Sequence, residues 1–231
     1  VASVEILAIG TELLLGQILN TNAQYLSDEL AQIGLDCFWH TTVGDNVERI
    51  KQCLKQALNR NDVVITTGGL GPTADDLTIE CIASLFGAPM ILDEPTLAWI
   101  ESLFVKRGLV MPQTNRKQAM RPQGSQILPN PAGTAPGIIW ILNEQLLSKI
   151  GISNPTKERL ILTFPGVPRE MKVMWQETAK QFLVRHFGIS NIWSCDLKHY
   201  GIGESALAEL CADLLDLKNP TVAPLAGAGE C

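Results

Sequence analysis

Three times within the first ninety residues a short apolar run is followed by an amphipathic helix pattern, and that alternation constrains the fold more than anything else in the sequence. Val4 to Ile9 reads as a buried strand ending at Gly10. Ala23, Leu26, Leu30 and Ile33 then recur at helical spacing, predicting a helix over 21–33 that Gly34 stops. Cys37 to Val43 reads as a second strand, closed by Gly44-Asp45-Asn46, and Val47, Ile50, Leu54 and Ala57 mark a second helix. Asp62 to Thr66 is a third, β-branched strand, followed by a glycine-rich loop and a helix that starts near Asp75 or Asp76 and runs to Phe86. Successive βα units build a parallel sheet with helices on both faces, so a three-layer αβα domain is expected.

The pattern loosens after residue 90. Asp93-Glu94-Pro95 is a capped start for a helix through Arg107, and 112–122 predicts a short helix before the turn-rich stretch 129–137. Strands are expected at 138–142 and 159–163, separated by a polar surface insertion. Phe164-Pro165-Gly166-Val167-Pro168 then opens a long helix carrying Met171, Met174, Trp175, Phe182 and Leu183, whose spacing is that of core residues. Beyond Gly188 the rhythm restarts, with a strand near 192–199 and a helix over 203–215. The division expected is 1–187 for the αβα domain and 188–231 for the start of a small α+β domain. The apolar, glycine-rich tail 225–231 leaves no sequence to finish that second unit, which reads as a fragment.

Composition narrows the function. Apolar residues make up 46% of the chain and the net charge is −6, which excludes a disordered polymer. The longest apolar runs, such as Gly137 to Leu142, fall short of the ~18 residues a membrane helix needs. Acids outnumber bases by 24 to 18, so direct nucleic-acid binding is not expected. Six cysteines without a C-x-x-C pair or a histidine at finger spacing read as free thiols in a reducing compartment, and a cytoplasmic location is expected.

Chemistry concentrates in the loop from Gly68 to Asp76. Gly68, Gly69 and Gly71, with Thr73 after them, lie between a parallel strand and a helix, where backbone N–H groups and the helix N-terminus favour a phosphate. The loop is neither a P-loop nor G-x-G-x-x-G. A tight βα turn with Asp75 as helix cap is the competing reading. Two adjacent carboxylates, Asp75 and Asp76, would repel a phosphate unless a cation such as Mg²⁺ lay between them. Glu12 and Asp45 occupy the equivalent turns after the first two strands, and in a doubly wound sheet these turns gather on one edge. Glu12, Asp45 and Asp76 are therefore the candidate metal ligands, with ordinary helix caps as the alternative for Glu12 and Asp45. Asn115, Arg116, Lys117 and Arg169 are candidates for holding the substrate, against solvated surface charge for the cations. No Ser-His-Asp pattern is present, so hydrolysis would depend on metal-activated water.

The motifs Ala8-Ile9-Gly10-Thr11-Glu12-Leu13-Leu14-Leu15-Gly16, Val43-Gly44-Asp45-Asn46, Thr66 to Thr78 (TTGGLGPTADDLT) and Phe164 to Met171 (FPGVPREM) resemble, in order, the CinA family of competence/damage-inducible proteins. The resemblance implies that residues 4 to about 170 form a molybdopterin-binding-like domain, with metal-dependent ADP-ribose pyrophosphatase activity. It points to Asp76 and Thr78 first within the loop, and to Asp75 beside Asp76 as the catalytic pair. Relatives often carry Gly-Asp where this chain has Gly10-Thr11, so one acid is replaced here. The C-terminal domain that deamidates nicotinamide mononucleotide in many members is not expected in this chain.

The expectation is a hydrolase acting with Mg²⁺ on a nucleotide-type pyrophosphate such as ADP-ribose, in a homo-oligomer. The alternatives are a non-catalytic module that binds a pterin or nucleotide, and a competence-related interaction module.

Overall fold

A computed structural model describes residues 2–152, 158–188, 195 and 197–224. By the density of its contacts the chain divides into two units, Val1–Ile192 and Trp193–Cys231.

The first unit is built on a six-stranded sheet in the order β2-β1-β3-β8-β7-β6. These strands are β1 (Ser3–Ile9), β2 (Asp36–Val43), β3 (Val63–Thr67), β6 (Gln126–Leu128), β7 (Gly137–Leu142) and β8 (Arg159–Phe164). β2, β1, β3 and β8 are parallel, whereas β7 runs antiparallel to both β8 and β6. The αβα domain on a parallel sheet expected from the βα rhythm is found, with β7 as its one reversed strand among those of this sheet. The physical reason is the eight-residue link between β6 and β7, too short for the crossover a parallel pair requires.

Helices cover both faces. Those of the first ninety residues are α1 (Thr11–Leu14), α2 (Thr21–Gln32), α3 (Val47–Arg60) and α4 (Thr78–Phe86). Ala23, Leu26 and Leu30 of α2 and the adjoining Ile33 bury against Val4, Ile6, Val63 and Ile65 on one side of the sheet. Ile50, Leu54 and Ala57 of α3 bury against Leu7, Ile9 and Val64 on the other. Because β1 and β3 are covered on both faces, they read as unbroken apolar runs rather than as alternation. One exception lies inside β1. Glu5 is fully buried, and its carboxylate accepts from Arg60 Nε at 2.8 Å and Nη2 at 2.7 Å, Asn61 Nδ2 at 2.8 Å and Thr41 Oγ1 at 2.7 Å.

The middle holds elements that periodicity did not reveal. β4 (Met90–Leu92) and β5 (Met120–Pro122) pair as a separate antiparallel ribbon, flanking α5 (Glu94–Val105) and a 3₁₀ turn over Gln113–Ala119. Strands of three residues are too short to show a period. The polar insertion carries α6 (Glu144–Lys149), capped by Asn143, whose side chain accepts from Leu146 N at 3.0 Å. The long helix predicted after Pro168 is α7 (Pro168–Met174), a π turn over Trp175–Ala179 and α8 (Lys180–Phe187). The π turn places Trp175 fully inside, where its indole N–H donates to Glu29 at 2.8 Å.

In the second unit, α9 (Glu204–Leu210) and α10 (Ala212–Leu215) occupy the span of the predicted helix. The strand predicted over 192–199 lies partly outside the described residues, and the described positions 195 and 197–199 form no strand.

Candidate ligand site at the carboxyl edge of the sheet

The chain leaves β1 toward β2 on one side and returns past it to β3 on the other, so the carboxyl ends of β1 and β3 flank a point where the winding reverses. Open α/β sheets bind ligands at such a crevice. The turns after β1, β2, β3 and β8 all emerge on this edge.

The loop after β3 is tied down before it reaches any ligand. Gly68 N–H donates to the Phe164 carbonyl at 2.9 Å, and a Cβ at position 68 would collide with the Ile9 carbonyl oxygen. With φ at +101°, this position admits only glycine without strain. Thr78 staples the far end of the loop, its hydroxyl donating to Gly68 O at 2.8 Å and its N–H to Gly69 O at 3.2 Å. Among the described residues, no acceptor meets the N–H groups of Gly69, Leu70 and Gly71. Three successive free amides of this kind make an anion nest.

Residues 73–76 fold back as a turn. Asp76 Oδ2 accepts from Thr73 N at 2.9 Å, and the Thr73 hydroxyl is in hydrogen-bond contact with both Asp75 and Asp76. That hydroxyl, with the turn's own backbone, holds the Asp75 carboxyl below the usual carboxylate range. Helix α4 begins at Thr78 with no side-chain cap, so Asp75 is not the helix cap that the competing reading required. The Asp76 carboxylate lies over Gly71, next to the free amides.

The 3₁₀ turn Gln113–Ala119 closes over this loop. Lys117 Nζ donates to Thr73 O at 2.9 Å and Asp76 O at 2.6 Å, and pairs with Glu80 Oε1 at 3.4 Å. Gln118 Nε2 donates to Leu70 O at 3.2 Å, and Asn115 Nδ2 holds Gln118 Oε1 at 2.8 Å. Between loop and turn lies a small, partly open cleft, walled by residues that include Asp76, Ile79, Lys117, Met120, Ile127 and Ile138.

The structure brings Gly68, Gly69, Gly71, Thr73, Asp75, Asp76, Thr78 and Lys117 together in one loop and its clamp. It does not assemble the metal set expected from topology. Among the described residues, no group of three or more carboxylate, histidine or cysteine side chains is placed to hold a metal. Asp45 is engaged by Thr11, Asp76 by Thr73, and the Glu12 carboxylate folds back over Gly10. Nor is Asp45 a cap of its own helix, since Asn46 caps α3 by accepting from Arg49 N at 3.1 Å. Asn115 is buried and directed at Gln118 rather than at the cleft. Arg116 and Arg169 are exposed.

An all-protein metal cage therefore does not fit these side chains.

Two supports of the site escaped the sequence reading. Asn130 Nδ2 donates to Glu170 Oε2 at 2.6 Å and Ala135 O at 2.9 Å, holding the loop that delivers Gly137 and Ile138 to the cleft wall. Asn22 Nδ2 donates to Gly166 O at 2.9 Å, while its buried Oδ1 has no partner among the described residues. The asparagine of Asn130-Pro131-Ala132-Gly133 was visible as a turn former, but its partner forty residues on was not.

Comparison with known proteins agrees with this architecture. Residues 5–185 match the family described as "Probable molybdopterin binding domain", and residues 194–231 that described as "Damage-inducible protein CinA KH domain". A CinA-like protein of Trichormus variabilis is 53% identical over 229 residues, covering 99% of this chain and 52% of the relative. The chain thus spans about half the length of the curated relatives it matches. The crystal structure of the protein CinA, of unknown function, from Thermoplasma acidophilum is similar at a TM-score of 0.65 and 31% identity, over 78% of this chain and 97% of that one. MoaB from Pyrococcus furiosus, a tungsten cofactor synthesizing protein, is similar at a TM-score of 0.51 and 17% identity, over 80% of this chain and 96% of that one, which is a likeness of fold.

Proposed function

This chain belongs to the CinA family and carries its molybdopterin-binding-like domain, and from that premise we propose that it hydrolyses a nucleotide pyrophosphate such as ADP-ribose with Mg²⁺. The observation that carries the reading is the juxtaposition of the free Gly69–Gly71 amides with the Asp76 carboxylate. Amides alone would suit any phosphate, but a carboxylate beside them repels one unless a divalent cation is shared between the two.

In this reading the amides of Gly69, Leu70 and Gly71 take the pyrophosphate oxygens and Thr78 keeps the loop in shape. Asp76 contributes the metal-facing carboxylate, with Asp75 one residue away. Bound Mg²⁺ would supply charge neutralisation and activation of water. Water adds to one phosphorus and the bridging oxygen leaves with the other, giving AMP and ribose 5-phosphate.

Two further parts of the proposal have their own support. Self-association is favoured by Leu14, Leu15, Ile18 and Leu19, all more than half exposed within one short stretch of the first unit. A reducing, cytoplasmic setting is favoured by Cys37, Cys53, Cys81, Cys195 and Cys211 standing as free thiols. No helix among the described residues is long and apolar enough to cross a membrane.

The missing three-ligand group favours a second reading, a module that binds a nucleotide or pterin phosphate without turning it over. The test is product release from ADP-ribose with Mg²⁺ and with EDTA, in the native chain and in Asp76→Asn, which keeps an acceptor for the Thr73 turn. Metal-dependent AMP that disappears in the variant supports the hydrolase. Binding without turnover in the native chain replaces it by the binding module.

A further inference from the structure

Lys117 is the natural candidate for a phosphate contact, being a cation at the mouth of the cleft. Its geometry says otherwise. Of the three protons an ammonium group can donate, two go to backbone carbonyls of the loop, Thr73 O at 2.9 Å and Asp76 O at 2.6 Å, and the charge is paired with Glu80 Oε1 at 3.4 Å. All three oxygens belong to the loop or to the first turn of the helix behind it. We propose that Lys117 is a positioning residue, a tethered cation that holds the turn 73–76 closed and thereby sets the Gly69–Gly71 amides, rather than a group that touches the ligand.

Electrostatics give the reason such a cation is needed. The turn folds two adjacent carboxylates onto one hydroxyl, so Asp75 and Asp76 crowd the same Thr73 side chain. Like charges held this close disfavour the turn unless a positive charge offsets them. Lys117 supplies it from another element, and its two carbonyl partners bracket the turn, one at each end. The neighbouring Gln118 does the same for the other half of the loop through Leu70 O at 3.2 Å. Two consecutive side chains of the 3₁₀ turn thus span the loop from residue 70 to residue 76. The proposal deepens the reading of this loop as a ligand nest, but its first test requires no ligand.

A positioning lysine and a phosphate-binding lysine differ in two measurable ways. The first is the state of the loop before anything binds. The amides of Thr73, Asp76 and Thr78 are hydrogen-bonded within the loop, to Asp76 Oδ2, Thr73 O and Gly69 O respectively, so their hydrogen exchange reports its closure. In the ligand-free chain, Lys117→Met should speed their exchange about tenfold or more, with strand amides of β1 and β3 unaffected. Lys51→Met, which removes a half-buried cation on α3 paired with Glu48, should leave all of them unchanged. The second difference is rescue. A phosphate contact is retained or strengthened by arginine. The planar guanidinium cannot reproduce two compact ammonium bonds to the carbonyls of Thr73 and Asp76 together with the Glu80 ion pair, so Lys117→Arg should also loosen the loop.

Affinity for inorganic pyrophosphate in the presence of Mg²⁺ should therefore fall in both Lys117→Met and Lys117→Arg. Unchanged loop exchange in Lys117→Met, or pyrophosphate affinity restored by Lys117→Arg, overturns the proposal. Should Lys117→Met fail to fold, unchanged exchange in Lys117→Arg overturns it equally. If the native chain binds no pyrophosphate, the hydrolase and the nest fall while the exchange result still decides the role of Lys117.

Discussion

Asp45 and Thr11 form a reciprocal clasp between the turns after the first two strands. Asp45 Oδ2 accepts the Thr11 N–H at 2.9 Å and the Thr11 hydroxyl at 2.8 Å, and the Asp45 N–H donates back to Thr11 Oγ1 at 3.2 Å. Thr11 is the first residue of α1, whose cap position, Gly10, has no side chain to offer. A carboxylate from 34 residues away therefore satisfies one of the free amides at that helix start, and its charge suits the positive end of the helix.

Loss of this clasp should be visible as stability. Asp45→Ala should lower the unfolding free energy by about 1–2 kcal/mol, and Thr11→Ala by a similar amount. The double variant should cost less than the sum, because both changes remove the same bonds. Urea unfolding of the four proteins checks this, and strict additivity would show that the clasp couples nothing.

Glu5 makes a stronger prediction. Arg60→Ala leaves a fully buried carboxylate with Asn61 and Thr41 as its remaining partners, and should cost about 3 kcal/mol or more. It also removes the guanidinium stacked 4.0 Å from the centre of the Trp39 ring. Lys51→Ala, which breaks a pair with the exposed Glu48 on the same helix, should change stability by less than about 0.5 kcal/mol. Equal unfolding midpoints for the two variants would contradict the burial argument.

Glu29 predicts an acid limb. Burial raises the pKa of its carboxyl, but hydrogen bonds from Lys180 at 2.7 Å and Trp175 at 2.8 Å outweigh burial and bring it below its ordinary value. A lowered folded pKa contributes stability that is complete above the unfolded value near 4.5 and is lost as pH falls through the folded one. Melting temperatures should therefore drop on acidification below about pH 4.5, and Lys180→Met should flatten that drop. An acid limb of unchanged slope in the variant would assign it to other carboxylates.

Cys81 should behave as an inert thiol. It is buried on the core face of α4, and burial pushes its pKa up to about 11. A chromogenic disulfide reagent at pH 8 should label the exposed Cys195 in the native protein and reach Cys81 only on unfolding. Because the folded state keeps this thiol protonated, its contribution to stability should fade as pH rises from 9 toward 11. Rapid labelling of Cys81 in the native state would mean that α4 opens locally.

Much of the fold was readable because burial leaves a periodic trace. Ala23, Leu26, Leu30 and Ile33 face one layer and Ile50, Leu54 and Ala57 the other, as their spacing requires. The ribbon of β4 and β5 left no such trace, and the reversal of β7 depends on how a connection travels rather than on which residues it contains. In the site, the glycines and the Asp75-Asp76 pair were legible, since close backbone approach at a strand end demands glycine and two adjacent carboxylates beside it stand out in any sequence.

Roles were a different matter. Topology alone placed Glu12, Asp45 and Asp76 on one edge, and that much holds. Whether they meet depends on hydrogen bonds between segments far apart in sequence: Thr11 takes Asp45, Thr73 takes Asp76, and Lys117 closes the loop across 41 residues from Asp76. The sequence by itself determined the layers, the crevice and the chemistry available there, because helix and strand periods and strand-end glycines are local properties of the chain. Only the tertiary structure decided which carboxylate is engaged and by what, because a side chain's partner is set by the nearest unsatisfied donor in space.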